Sequence, residues 1–478
     1  MTIVAELPME PPIRFDFAFL RKGAVYFAIA LLLLAPFSRD PVATVFCGVM
    51  PWVLISLVDQ PGMPAVAVYY LLWQWIQGAA RLLIGFVDGE SIGEGTYGWP
   101  VYRAFWYSMA SLIVFALMFR VALSGVRAPT DDKRDEHYDW NPSALFWVFL
   151  GATVLSGAAS FAASLAPGIA QPLVAVGALK YAVLFVLFAT VVATSAGTEW
   201  LLAAVAIEVV LGFGGFFSGF KEVFIVLLLA ALAVRVTLRT SNMIGGFATI
   251  ATLVALGLFW TAVKAEYRDV VSGYSGAQTV TVSIPERAGL LLHKAFNPGE
   301  IDWGLATDQL LRRIAYVDYF GAVIGYTEIA PESESLGRWR DALEHVARPR
   351  VFFPGKTALD DTEVSIRYAR ADVEDETRIG TSISIGYMAE NFIDFGFPGM
   401  LFPVAVMGLV LGMMLRYFMT RPVAWTVREG FATALVLALV TGMELSLAKF
   451  LGGTIVVFAV LSLSLKFFFP VAVRLVKQ

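Results

Sequence analysis

Long apolar runs separated by short polar breaks dominate this chain, and the run lengths set the first reading. A helix rising 1.5 Å per residue needs roughly 17–25 apolar residues to cross a hydrocarbon layer of about 30 Å. Twelve runs approach or meet that length, near 23–38, 41–58, 63–86, 100–124, 143–165, 169–196, 198–218, 221–240, 243–266, 396–418, 429–447 and 450–473. The first two are short, and the last two are parted only by Ala448-Lys449. The pattern predicts an all-α polytopic membrane protein of about 12 transmembrane helices, with one large, mostly helical loop before the last three spans. It divides the chain into a bundle of about nine spans (1–266), the insert (267–395) and a closing membrane segment (396–478).

Within the insert the spacing predicts helices. Apolar residues recur at helical intervals from Ile284 to His293 and from Leu310 to Val317. Asp302-Trp303 opens the second of these, and Glu332-Ser333-Glu334-Ser335 precedes a third through Trp339, Arg340 and His345. Such an insert is expected to cap one end of the bundle.

Charge assigns the ends. With a cytoplasmic N-terminus, the short inside loops hold Arg14, Arg21, Lys22, Arg120, Arg127, Lys133, Arg134, Arg235, Arg239, Arg416, Arg421, Arg428, Arg474 and Lys477. The short outside loops hold only Arg39, Arg103, Lys221 and Lys449 near their ends. That asymmetry puts both termini in the cytoplasm and the insert outside. The first apolar run follows Arg21-Lys22 and ends at Pro36-Phe37-Ser38-Arg39 without a small-x-small cleavage site, so it reads as a retained span.

Composition agrees, since 58% hydrophobic and only 15% charged residues lie far outside a soluble domain. Nucleic acid is a poor partner on both charge and topology, because the insert carries more carboxylates than Lys and Arg. The single cysteine, Cys47, leaves no intramolecular disulfide and no thiolate metal cluster. No HExxH, GxSxG or Cys-His arrangement is present, so no metal or other cofactor is expected. The irregular glycines of 88–98 do not make a phosphate cradle, and no internal repeat of the kind common in transporters is visible.

Ionisable residues within spans are the next candidates, because they are costly there. Lys180 lies about 12 Å below the outer end of its span and Glu208 about 15 Å below that of the next, so the two can pair, either as a structural bridge or as part of a substrate or proton path. Arg81, Arg103, Lys221, Lys264, Arg268, Arg350 and Lys356 are all placed at the outer rim, where as a set they can line a pyrophosphate pocket. Taken singly, each is better explained by snorkelling or by pairing with Glu222, Glu266 or Asp269, so the pocket reading rests on the set. Of the adjacent Arg312 and Arg313, at least one must point away from any site that faces the other.

The densest chemistry lies between Arg348 and Gly399. Pro349, Pro354 and Gly355 impose a non-helical backbone that presents Arg350 and Lys356. Glu390 and Asp394 sit four apart and so share a helix face. Burial near the bundle would suit Glu390 for accepting a hydroxyl proton, while helix capping or pairing with Arg350 or Lys356 explains it as well. His137 reads as a solvated loop residue; His293 and His345 lie on amphipathic helices, where packing or surface roles are the ordinary expectation.

Pro349-Arg350 through Lys356, then Asp360 or Asp361, then Thr381-Ser382-Ile383-Ser384-Ile385-Gly386 through Glu390 to Phe395-Gly396 and Gly399, resembles the oligosaccharide repeat-unit polymerases, the O-antigen and exopolysaccharide polymerase-like family. Ser218-Gly219-Phe220-Lys221 is similar to a short basic motif of these proteins. Gly355-Lys356-Thr357 lacks the proline that often follows the lysine. The resemblance implies metal-independent glycosyl transfer from a polyprenyl-diphosphate-linked glycan at the outer face of a bacterial cytoplasmic (inner) membrane, with a chain-length regulator and a flippase as pathway partners. Combined with the rim charges, it leads us to expect Arg350 and Glu390 in catalysis, and Lys356, Lys221, Arg312, Arg313, Arg103 and Asp394 in binding of pyrophosphate and glycan. A glycan ligase sharing the site, or a transporter of an anionic lipid or sugar, are the alternatives.

Overall fold

The computed structural model describes residues 13–95, 97–128, 140–214, 219–274, 280–330, 336–357, 361–369, 384–438 and 442–476. His137, Ser218, Glu332 to Ser335, Asp360 and Thr381 to Ile383, singled out above, lie outside the described residues.

Apolar runs become helices because backbone groups removed from water must be satisfied within the segment itself. Among the described residues, eight helical stretches are long and apolar enough to cross a membrane: Phe17–Phe37, Pro41–Val58, Pro100–Ala122, Pro142–Leu165, Pro167–Thr194, Thr240–Val271, Leu401–Met419 and Leu447–Phe467. Within them lie α1 (Phe17–Leu34), α2 (Pro41–Val58), α4 (Pro100–Ala122), α5 (Pro142–Leu165), α6 (Ala170–Val176), α7 (Ala178–Thr194), α10 (Thr240–Val271), α17 (Leu401–Met419) and α19 (Leu447–Phe467). The remaining apolar runs also form helices, namely α3 (Ala65–Asp88), α8 (Thr198–Phe213), α9 (Lys221–Ala233) and α18 (Trp425–Ala438). α3 is long but carries the buried Gln74 and Gln77, whereas α8, α9 and α18 are short. With 16 and 13 residues, α8 and α9 extend about 24 and 20 Å, less than a hydrocarbon layer. Their facing ends come close, since Gly219 N–H donates to Gly212 C=O at 3.0 Å. A Cβ at position 212 would stand 2.5 Å from the Phe220 nitrogen, so this approach requires glycine.

Contacts between helix ends sort the bundle into two faces. On the first, Phe15 N–H donates to Val236 C=O, Arg21 pairs with Asp59 at 2.9 Å, Gln60 bonds Arg120 C=O, and Arg416 Nη1 bonds Ala122 C=O at 3.0 Å. On the second, Arg39 bonds Gly89 C=O, Asp40 accepts from Ser91 and Ile92, and Lys449 pairs with Asp361. The described cations assigned to the cytoplasm by sequence thus include those that gather on the first face, and the insert joins the second.

The insert does more than cap. α11 (Ile284–Phe296) starts at a Ser283/Glu286 capping box, α12 (Trp303–Ile314) is capped by Asp302, and α14 (Gly337–Ala347) and the short α15 (Asp361–Ala369) follow, as the helical spacing and the Asp302 cap foretold for α11, α12 and α14. α13 (Val317–Ile329) and α16 (Tyr387–Gly399), however, enter the bundle. Phe320 and Phe392 both pack on Tyr107 of α4, and Phe397 stacks on the same ring at 4.1 Å. Tyr387 at the start of α16 reaches Phe115, about 22 Å along α4 from its second-face end, and donates to Gln74 Oε1 at 2.6 Å. Their apolar runs are too short to read as spans, so only packing exposes their placement. Gly386, at φ +85°, lets the chain enter α16 where its Cα lies against Met443 C=O.

Candidate functional site

Two cationic groups form where the insert meets the bundle. The outer one is built on the turn predicted from Pro349, Pro354 and Gly355, in which Phe352 and Phe353 N–H groups both donate to Pro349 C=O and Lys356 N–H donates to Phe353 C=O. This turn folds back on α14, so that Lys356 Nζ donates to His345 C=O. His345, Arg348, Phe353 and Lys356 line a cleft of about 510 Å³, with Glu344 and Asp341 on its wall. Glu344 is paired with Arg348 and Asp341 with Arg338. Arg350 stands beside Lys356 and His345 and has no hydrogen-bond or ion-pair partner among the described residues. Burial and the Arg350 charge hold the Lys356 ammonium below its usual range. Burial, then Lys356, then Arg350 hold the His345 imidazole below its own, so it is neutral at pH 7.

A second group lies deeper. Glu444, in the break between α18 and α19, accepts from Gln77 Nε2 at 2.7 Å and lies within electrostatic range of Lys221 and Arg313. Lys221 opens α9, and neither it nor Arg313 has a hydrogen-bond or ion-pair partner among the described residues. Arg313 also faces the buried Arg268. Asp361 links the two groups, since it lies within range of His345 on one side and of Tyr316 on the other, while Tyr316 is in turn within range of Glu444 and Glu390. The Tyr316 hydroxyl is buried without a hydrogen-bond partner.

The structure therefore brings Arg350 together with Lys356, and Lys221 together with Arg313, in separate clusters. The other candidates have structural partners. Arg103 grips both carboxylate oxygens of Glu328, which the bridge holds below the usual carboxylate range. Arg312 pairs with Asp308 at 2.7 Å on the exposed face of α12, so the two adjacent arginines do point apart. Asp394 accepts from the Arg338 and Trp339 N–H groups at 3.1 and 2.8 Å, pinning the first turn of α14. Glu390 is buried and accepts from Leu447 N–H at 3.1 Å, pinning the first turn of α19. Of the alternatives open for this acidic face, helix capping is the one seen, because Asp394 and Glu390 meet the unsatisfied N–H groups of two helix starts. Lys180 and Glu208 pair at 2.7 Å, linking α7 to α8.

Sequence reading missed Glu444 and Asp318. Asp318 is buried in range of Arg81 and Arg312, and its Oδ1 has no hydrogen-bond partner. Both are acids inside short apolar runs, Gly442-Met443-Glu444-Leu445 and Tyr316-Val317-Asp318-Tyr319-Phe320, and that was the available signal. Among the described residues, no group of three or more His, Cys, Asp or Glu is arranged to hold a metal ion. The chain matches no protein-family model, no curated protein and no solved structure.

Proposed function

We propose that this protein lengthens glycans by transferring a polyprenyl-diphosphate-linked oligosaccharide onto another lipid-linked unit, at the face of the membrane where the insert lies. The observation that carries the reading is the outer cleft lined by Lys356, His345 and Arg348, beside which Arg350 stands with no ion-pair partner among the described residues. Such a cluster gains energy when an anion enters, and gains most as charge builds on a departing diphosphate. In this scheme the acceptor sugar hydroxyl attacks the anomeric carbon, the bond from that carbon to diphosphate oxygen breaks, and Arg350 and Lys356 hold the leaving group. The hydroxyl proton passes to His345, whose neutral imidazole borders the cleft. Glu390 supports this arrangement from behind by anchoring α19. Lys221 and Arg313 serve the same anionic substrate deeper in the bundle.

Gel separation of glycans by length tests the reading. Cells lacking the chain are expected to hold single repeat units, which the native sequence extends and Arg350→Ala, at equal membrane level, does not. A normal ladder from Arg350→Ala removes Arg350 from the site. The shortened α8 and α9, with a buried ion pair at their side, favour transport as the second reading. In that case full-length polymer persists in deleted cells but fails to cross the membrane.

A further inference from the structure

An apolar groove of about 430 Å³ runs between α8, α10 and α11, within the size range of ligand sites. Val209 and Phe213 form one wall, Leu256 and Phe259 the second, and Ala288 and Leu291 the third. Arg287 is the charged residue among its lining. Arg287 Nη1 donates to Gly214 C=O at the end of α8, and its Nε is buried with no hydrogen-bond partner. α11 starts with a capping box, and Ile284 and Leu292, both more than half exposed, line the groove, so its apolar wall is open to the outside. The Arg287 guanidinium also lies against the Tyr267 hydroxyl, and an apolar channel bordered by one such cation is complementary to a hydrocarbon chain with an anionic head.

We infer that this groove holds the isoprenoid chain of the lipid diphosphate, with Arg287 at its polar end. The inference rests on the lipid-linked substrate class proposed above. It accounts for two features that the cationic clusters leave unexplained, namely the apolar side of α11 and the truncation of α8 at Gly214. The chain would lie along α8 and α10 while the head stays beside Arg287, on the side where α10 carries the buried Arg268.

The test uses the full chain in nanodiscs and a polyprenyl diphosphate carrying a diazirine midway along its isoprenoid chain. Crosslinks are expected on α8, α10 and α11, competed by unlabelled polyprenyl diphosphate and not by added phosphatidylglycerol. Ala288→Trp fills the groove and is expected to lower that crosslinking about tenfold, equivalent to displacing roughly two buried methylenes, with an unchanged melting temperature. Arg287→Gln is expected to keep the crosslink positions and to lose the preference for the diphosphate over the free polyprenol. Labels spread over all lipid-facing helices, equal competition by phosphatidylglycerol, or indifference to Ala288→Trp would each reduce the groove to ordinary bilayer contact and overturn the inference. The glycan ladder separates the two ideas: a ladder that depends on the chain, with scattered labels, removes the groove alone. Groove labelling without any effect on glycan length removes the polymerisation reading.

Discussion

Glu390 shows how a residue attractive for chemistry can owe its place to structure. Its carboxylate satisfies the N–H of Leu447, the first residue of α19, and burial makes that bond costly to lose. Glu390→Ala leaves the N–H unsatisfied and is expected to cost about 1–3 kcal/mol, read as a lower melting temperature in detergent. Glu390→Gln keeps an acceptor oxygen, so it should recover most of that stability and keep glycan extension; loss of extension at native stability would instead give the carboxylate a reactive role. His345 makes the opposite case, since the sequence offered no reason to prefer it over His293. Its value is depressed in the fold by burial, Lys356 and Arg350, so it stays neutral where an unfolded histidine already binds a proton. The folded state therefore loses stability as pH falls through about 6.5 towards the folded value. Lys356→Met removes one of the depressing charges, and a histidine NMR titration should show the His345 midpoint moving up.

At the scale of elements, the informative departures are short helices. α8 and α9 are too short to cross a bilayer separately, and their junction abuts Phe220 through Gly212. A helix that ends within a hydrocarbon layer leaves backbone groups that only surrounding protein or a polar cavity can satisfy. Lys180 and Glu208 are part of that surrounding, with Glu208 1% exposed. Lys180→Met leaves a buried carboxylate unpaired and is expected to cost about 3–5 kcal/mol, whereas adding Glu208→Gln should restore much of the loss in a thermal unfolding cycle. An unchanged melting temperature in the single variant would show that the pair adds nothing to folding. α13 and α16 carry the same lesson: Tyr107 gathers Phe320, Phe392 and Phe397 around one ring, so elements far apart in sequence become one packed layer.

Across the whole molecule, the helix ends fall on two faces, and the lipid-borne substrate proposed above would have to enter from the second, where the insert lies. Cys47 is fully buried, so Cys47→Ala gives a background for single reporters at Arg239→Cys on the first face and Gly355→Cys in the insert. A membrane-impermeant maleimide applied to intact cells is expected to label position 355 and spare 239; the reverse would place the insert in the cytoplasm.

The all-helical membrane character, the helices at the twelve apolar runs and the capped helices of the insert were legible in the sequence, because length, hydropathy and caps act over a few residues at a time. The turn bearing Arg350 and Lys356 was legible for the same reason, since proline and glycine fix it locally. Only the tertiary structure decided that α13 and α16 enter the bundle, that Glu390 and Asp394 cap other helices, and that the cations divide into two clusters with Glu444 in the deeper one. Those outcomes depend on which helix end lies beside which side chain, a relation between residues up to hundreds of positions apart that no local pattern encodes.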